Sequence, residues 1–172
     1  TQAQDLILYS QDLTNATWLK DSGAGGSAPV VTGNYSTAPD GTLTATRVQL
    51  AITGTTGSYS RVGQTITTVA STYTFSVWMK SNTGLSVTVD LRTIGVDTNV
   101  TVTASWQRLS VTLAVPVGTT NYQILLFQTT GTSTSADLSV WGAQVVQSNY
   151  PGPYQLTTAI AVNNGPIRRV AI

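Results

Sequence analysis

Histidine, cysteine and glutamate are absent from the 172-residue chain. Without Cys or His there is no disulfide, no thiolate nucleophile, no serine–histidine relay and no ordinary zinc site. The seven acidic residues are all aspartates, so a paired-carboxylate glycosidase would have to draw both of its acids from that set. These absences argue against an enzyme. Charge is scarce too, at 9% of residues against about 25% in an average domain, and the net charge is +1. The only adjacent basic pair is Arg168 and Arg169, which gives no cluster for nucleic-acid phosphates. No run of about 20 apolar residues suggests a membrane span, and the start lacks the basic and apolar segments of a secretory signal. Thr1 in place of an initiator Met fits Met removal and a cut fragment equally.

What fills the chain instead is neutral: 41% hydrophobic residues, 15 glycines and a large excess of threonine. A chain of this length makes one domain and buries roughly 70% of its unfolded surface. No long window keeps an apolar stripe at helical spacing, while period-two alternation is clear. In Thr72–Lys80, Tyr73, Phe75, Val77 and Met79 share one face; in Leu85–Arg92, Leu85, Val87, Val89 and Leu91 do. Ser81-Asn82-Thr83-Gly84 between them predicts a tight antiparallel hairpin. Further strands are expected at Leu6–Tyr9, Val30–Thr32, Ala45–Ile52, Ser58–Thr67, Asn99–Thr103, Gln107–Ala114, Tyr122–Gln128 and Leu138–Val146. About ten strands at this spacing predict an all-β, antiparallel two-sheet sandwich, a jelly roll, with a closed barrel as the alternative. The sandwich is assigned to residues 1–149. From Tyr150-Pro151-Gly152-Pro153 to Ile172 the chain reads as an extended C-terminal arm or, equally, as an edge strand and tail.

Three stretches match a known pattern in the right order. The opening Leu6-Ile7-Leu8-Tyr9-Ser10-Gln11-Asp12-Leu13-Thr14-Asn15-Ala16-Thr17-Trp18, followed by the Ala38–Thr42 turn, resembles the start of a group of bacteriophage virion domains. Tyr73–Lys80 resembles the group's central strand, with Ser105-Trp106-Gln107-Arg108 as the step into the next one; Val140-Trp141-Gly142-Ala143-Gln144 resembles its terminal pentapeptide. That group is similar to jelly-roll carbohydrate-binding modules and occurs in tail fibres, head fibres and other exposed virion proteins. Relatives often hold a structural calcium between their first and last strands; the resemblance implies Asp12 and Asp137 as its remnant here, and no other cofactor. Gln11 and Val145-Val146 stand where relatives often carry Glu, which counts against a strong calcium site.

Trp78 falls on the polar face of its strand beside Ser76 and Lys80. It stacks on a sugar ring, with Asp90 and Arg92 of the adjacent strand as hydrogen-bonding groups, or it is covered by an arm or a partner. Tyr59 and Arg61 share one strand face and either join that surface or are simply solvated. Trp18, Trp106 and Trp141 read as packing residues. Asp40 fits the Pro-Asp-Gly turn.

The resemblance implies a non-catalytic structural protein on a tailed-phage virion surface, made in the host cytoplasm and assembled with other virion proteins or copies of itself, as in a homotrimer. Tyr154, Arg168, Arg169 and Ile172 of the arm would then serve assembly. The alternative is a module that binds a host-surface glycan through Trp78, Lys80, Asp90, Arg92, Tyr59 and Arg61. Neither reading involves nucleic acid or membrane insertion.

Overall fold

Alternating apolar residues and glycine-rich turns produce ten strands in a computed structural model that describes residues 2–160. They are β1 (Leu19–Gly23), β2 (Ser27–Ser36), β3 (Ala45–Ala51), β4 (Tyr59–Thr68), β5 (Ser71–Ser81), β6 (Val87–Thr93), β7 (Val96–Val102), β8 (Gln107–Val115), β9 (Gly118–Phe127) and β10 (Ser135–Val146). Two antiparallel five-stranded sheets result, one ordered β1-β4-β9-β6-β7 and the other β2-β3-β10-β5-β8. The sheets stay separate, so the architecture is the open jelly-roll sandwich and not the closed barrel.

The hairpin expected between Thr72–Lys80 and Leu85–Arg92 does not form. β5 pairs with β10 and β8, whereas β6 pairs with β9 and β7 in the other sheet. Each strand carries one apolar face, and both bury it in the same interior from opposite sides: Phe75, Val77 and Met79 face Val89 and Leu91 across the core. The 81–84 segment therefore crosses between sheets. The Ser81 amide donates to Thr103 O at 2.7 Å, and the Asn82 amide to Asp137 O at 2.8 Å. Leu85 sits in this crossing and is exposed.

Two other expectations change. Leu6–Tyr9 is not a strand, because Tyr9 takes a left-handed backbone (φ 49°) and the Asp5 carboxylate replaces a ladder partner, accepting from the Ile7 and Val145 amides at 3.0 and 2.9 Å. The segment still lies along β10, with the Leu6 amide donating to Val145 O. Conversely, Leu19–Gly23 is a strand, although Leu-Lys-Asp-Ser-Gly shows no apolar alternation; it is the outer edge of its sheet.

The core lies between the sheets. Trp18 is fully enclosed there and donates Nε1–H to Tyr9 O at 3.0 Å. Phe75 meets Tyr122 edge-on, with ring centres 5.8 Å apart, a geometry worth about 0.5–1.5 kcal/mol beyond burial. β10 is buried on both faces because the extended segment after it lies back over the outer side of its sheet. Tyr154 stacks 4.4 Å from Trp141 and its hydroxyl bonds Ser10 Oγ at 2.7 Å. The bulge that admits it is at Gly142, whose φ is +64° and where a Cβ would sit 3.2 Å from the Tyr154 ring. The arm thus begins by running along the body, as far as the Thr158 carbonyl that accepts from the Tyr9 amide. Arg168, Arg169 and Ile172 lie outside the described residues.

Candidate functional site

The outer face of β1-β4-β9-β6-β7 gathers four of the six residues singled out for glycan contact. β4 places Tyr59 and Arg61 two residues apart on this face, and β6 does the same for Asp90 and Arg92. Between them runs β9, on which Phe127 lies opposite Tyr59, Leu125 opposite both Arg61 and Asp90, and Gln123 opposite Arg92. Trp78 and Lys80 are on β5, in the other sheet, so the expected grouping of Trp78 with Asp90 and Arg92 is incorrect. It rested on the hairpin; once β5 and β6 face each other through the core, their polar faces point to opposite sides of the molecule. Trp78 packs instead against the cluster of Ala38, Ala45 and Trp141, beside Trp106 and Tyr154.

Each arginine on the candidate face is fixed in the same way. Arg61 donates from Nε and Nη2 to the Asp21 carboxylate at 2.5 and 2.9 Å, and its guanidinium lies 4.7 Å from the centre of the Tyr59 ring. Arg92 donates from Nε and Nη2 to Asp97 at 2.5 and 2.8 Å and lies 5.1 Å from the centre of Phe127. These bidentate bonds raise the pKa of both guanidinium groups, the hydrogen bond to the aspartate being the largest cause. Two-point ion pairing and ring stacking together orient a guanidinium far better than a single contact does. Among the described residues, Nη1 of neither arginine bonds to protein, so each presents free donors.

The floor is made by fully buried Leu125 and Asp90 with nearly buried Gln123. Asp90 Oδ2 accepts from Thr130 Oγ1, while Asp90 Oδ1 and Gln123 Oε1 have no partner among the described residues. Burial raises the Asp90 pKa, opposed by the Thr130 hydrogen bond. Asp21, Asp97, Phe127 and Gln123 were not singled out from the sequence. Phe127 lay inside a predicted strand, and alternation from Leu125 would have placed it on this face; the aspartate partners come from edge strands whose pairing the sequence does not state.

The residues proposed for calcium do not fit that ion. Asp137 bonds Arg47 through both oxygens and also accepts from Asn82 Nδ2 at 2.9 Å. Asp12 accepts from the Thr14 amide and hydroxyl in a local turn. The two line different depressions, and no group of three acidic side chains occurs among the described residues, far from the six to eight oxygens calcium takes.

The sequence matches no protein-family model and no curated protein. Solved structures do match in fold. The β-1,4-galactotriose complex of TmCBM61 superimposes with a TM-score of 0.55 at 13% identity, over 84% of this chain and 99% of that one. The fold is a jelly-roll sandwich like that of such carbohydrate-binding modules. The CBM22-1 xylan-binding domain of Xyn10C from Paenibacillus barcinonensis gives 0.56 at 13% identity, over 86% of this chain and 97% of that one. The enzymatically active domain of bacteriophage CBA120 tailspike protein 4 gives 0.52 at 12% identity, the match covering 84% of this chain and 21% of that one.

Proposed function

We propose that the chain is a non-catalytic glycan-binding domain whose ligand lies across the outer face of β1-β4-β9-β6-β7. The observation that carries this reading is the pair of arginines flanking β9, each locked by an aspartate and an aromatic ring with Nη1 left free. Donors fixed before the ligand arrives lose little entropy on binding, and the sugar hydroxyls supply the acceptors. Each guanidinium is balanced by its own carboxylate, so the face suits a neutral glycan. The fold it shares with galactotriose- and xylan-binding modules supports the assignment.

The acidic residues support the absence of catalysis. Asp21, Asp97 and Asp137 are held in ion pairs, Asp5 and Asp90 are buried, and Asp12 and Asp40 cap local turns. No two of them stand free across an open cleft as a glycosidase requires. Affinity electrophoresis through gels containing neutral β-glycans tests the reading: the protein is retarded by at least one of them, and Arg61→Ala with Arg92→Ala abolishes the retardation. Equal mobility of both proteins in every gel would overturn it.

A second, compatible reading concerns location. The ordered motifs from Leu6 to Gln144 and the fold likeness to a tailspike domain support display on a phage particle surface, in contact with virion proteins or further copies of the chain. Imaging of particles carrying a tagged chain tests it, with density on the capsid or tail expected and tag-free particles contradicting it.

A further inference from the structure

The opposite side of the sandwich carries aromatic and cationic groups that the site described above does not use. Trp78 and Lys80 project from the outer face of β5, and Trp106 stands at the entrance to β8, the strand that pairs with β5. All three are half-buried. Trp106 donates Nε1–H to Thr37 O at 3.1 Å and Trp141 to Thr44 Oγ1 at 2.9 Å, which fixes both rings. The indole N–H of Trp78 has no acceptor among the described residues, although its ring is held by the Gly142 bulge, where a Cβ would lie 3.3 Å from Trp78 Cδ1. A rigid, half-exposed indole with a free donor results.

Charge on this side is unbalanced. The Lys80 ammonium lies 5.3 Å from the centre of the Trp106 ring and pairs with no carboxylate among the described residues. Arg108, directly opposite Trp78, donates to Gly152 O and Ser76 Oγ and makes no ion pair among the described residues. The carboxylate that acts on it, Asp5, is buried and held protonated at neutral pH, its pKa pushed up to about 8 by desolvation. The other acids on this side are Asp137, neutralised by Arg47, and Asp40, whose Oδ1 binds the Thr42 amide and hydroxyl. On the outer face of the other sheet, by contrast, Arg61 and Arg92 each have their own carboxylate.

We propose that the Trp78, Lys80 and Trp106 surface binds a uronic-acid residue of an acidic polysaccharide. The apolar face of the pyranose packs on the exposed indole of Trp78, Trp78 Nε1–H donates to a ring or hydroxyl oxygen, and the Lys80 ammonium meets the carboxylate. Trp106 holds that ammonium in place from beneath. The two faces of the sandwich then take glycans of different charge, which lets one molecule bridge a neutral and an acidic polymer.

Binding to polygalacturonate, measured by calorimetry near 0.15 M salt with dextran sulfate as a charge control, tests the proposal. The wild-type chain binds polygalacturonate, Lys80→Gln weakens binding at least tenfold, Lys80→Arg restores most of it, and tryptophan fluorescence shifts on addition. Arg61→Ala with Arg92→Ala leaves this binding unchanged, which separates the outcome from that of the neutral-glycan site. No binding, loss only in the Arg61/Arg92 variant, indifference to Lys80→Gln, or equal binding to dextran sulfate each overturns it. Thermal melting of Lys80→Gln, expected to match wild type, separates lost contact from lost fold.

Discussion

The phenol ring of Tyr59 lies over Gly23, its cross-strand partner on the edge strand β1, so closely that a Cβ there would sit 2.6 Å from Tyr59 Cε1. The glycine makes the seat for the ring, and the ring in turn carries the Arg61 guanidinium.

Gly23→Ala therefore separates binding from stability. The obstructing atoms belong to the far end of a mobile side chain, so Tyr59 swings aside, and the lower entropy of the unfolded chain offsets most of the strain. Melting stays within about 1 kcal/mol of wild type, while affinity for a neutral glycan falls roughly tenfold, about 1.4 kcal/mol. Gly54→Ala, where a Cβ meets nothing within 4 Å, changes neither quantity. Calorimetry and denaturant unfolding of both variants check this.

The two ion pairs fasten the two edge strands, β1 and β7, to their neighbours, and they differ in enclosure. The Arg92 and Asp97 side chains are 18% and 12% exposed, against 23% and 34% for Arg61 and Asp21. Asp97→Ala leaves a more desolvated guanidinium and costs about 2 kcal/mol; Asp21→Ala costs about 1 kcal/mol or less. Urea unfolding of the two variants ranks them in that order.

Asp5 sets a pH dependence of stability. Its carboxyl is raised from 3.8 to about 8, mainly by desolvation, against the hydrogen bonds from Val145 and Ile7. Between those values the folded chain keeps a proton that the unfolded chain has lost. Asp5 thus makes stability fall as pH rises from about 4 to about 8, by at most about 1.4 kcal/mol per pH unit, and level off above. Asp5→Asn keeps an oxygen for both amides and removes this slope, so the variant exceeds wild type in stability at pH 9. Unfolding midpoints across this range report it, and parallel curves would contradict it.

Tyr154 fastens the post-β10 segment to the sandwich. Burial raises its hydroxyl pKa to about 12 despite the hydrogen bond with Ser10. Tyr154→Phe loses that bond and costs about 1 kcal/mol; Tyr154→Ala also uncovers Trp141 and costs about 3 kcal/mol. Near-ultraviolet circular dichroism and denaturant midpoints distinguish the two.

The strands were largely legible because each shows its buried face as alternate residues: Phe75, Val77 and Met79 in β5, Val89 and Leu91 in β6. Their partners were not, since alternation gives a face but not the neighbour that shares it. Ser81-Asn82-Thr83-Gly84 looks like a hairpin turn, yet the crossing it makes is secured by Asp137 and Thr103, far away in sequence. The same gap divided the candidate site. Tyr59, Arg61, Asp90 and Arg92 share one sheet face on either side of β9, whereas Trp78 and Lys80 lie on the other sheet because the pairing that would join them does not occur. Phe127, Asp21 and Asp97 gain their importance from cross-strand register alone.

The proposed function requires that a glycan lie on the outer face of β1-β4-β9-β6-β7. Amide chemical-shift mapping of the labelled protein during titration with neutral galacto- and xylo-oligosaccharides tests it most directly. Saturable shifts concentrated at Tyr59–Gly63, Asp90–Arg92 and Gln123–Phe127 are expected for at least one of these ligands. No shifts at millimolar sugar, or shifts confined to other surfaces, would contradict it.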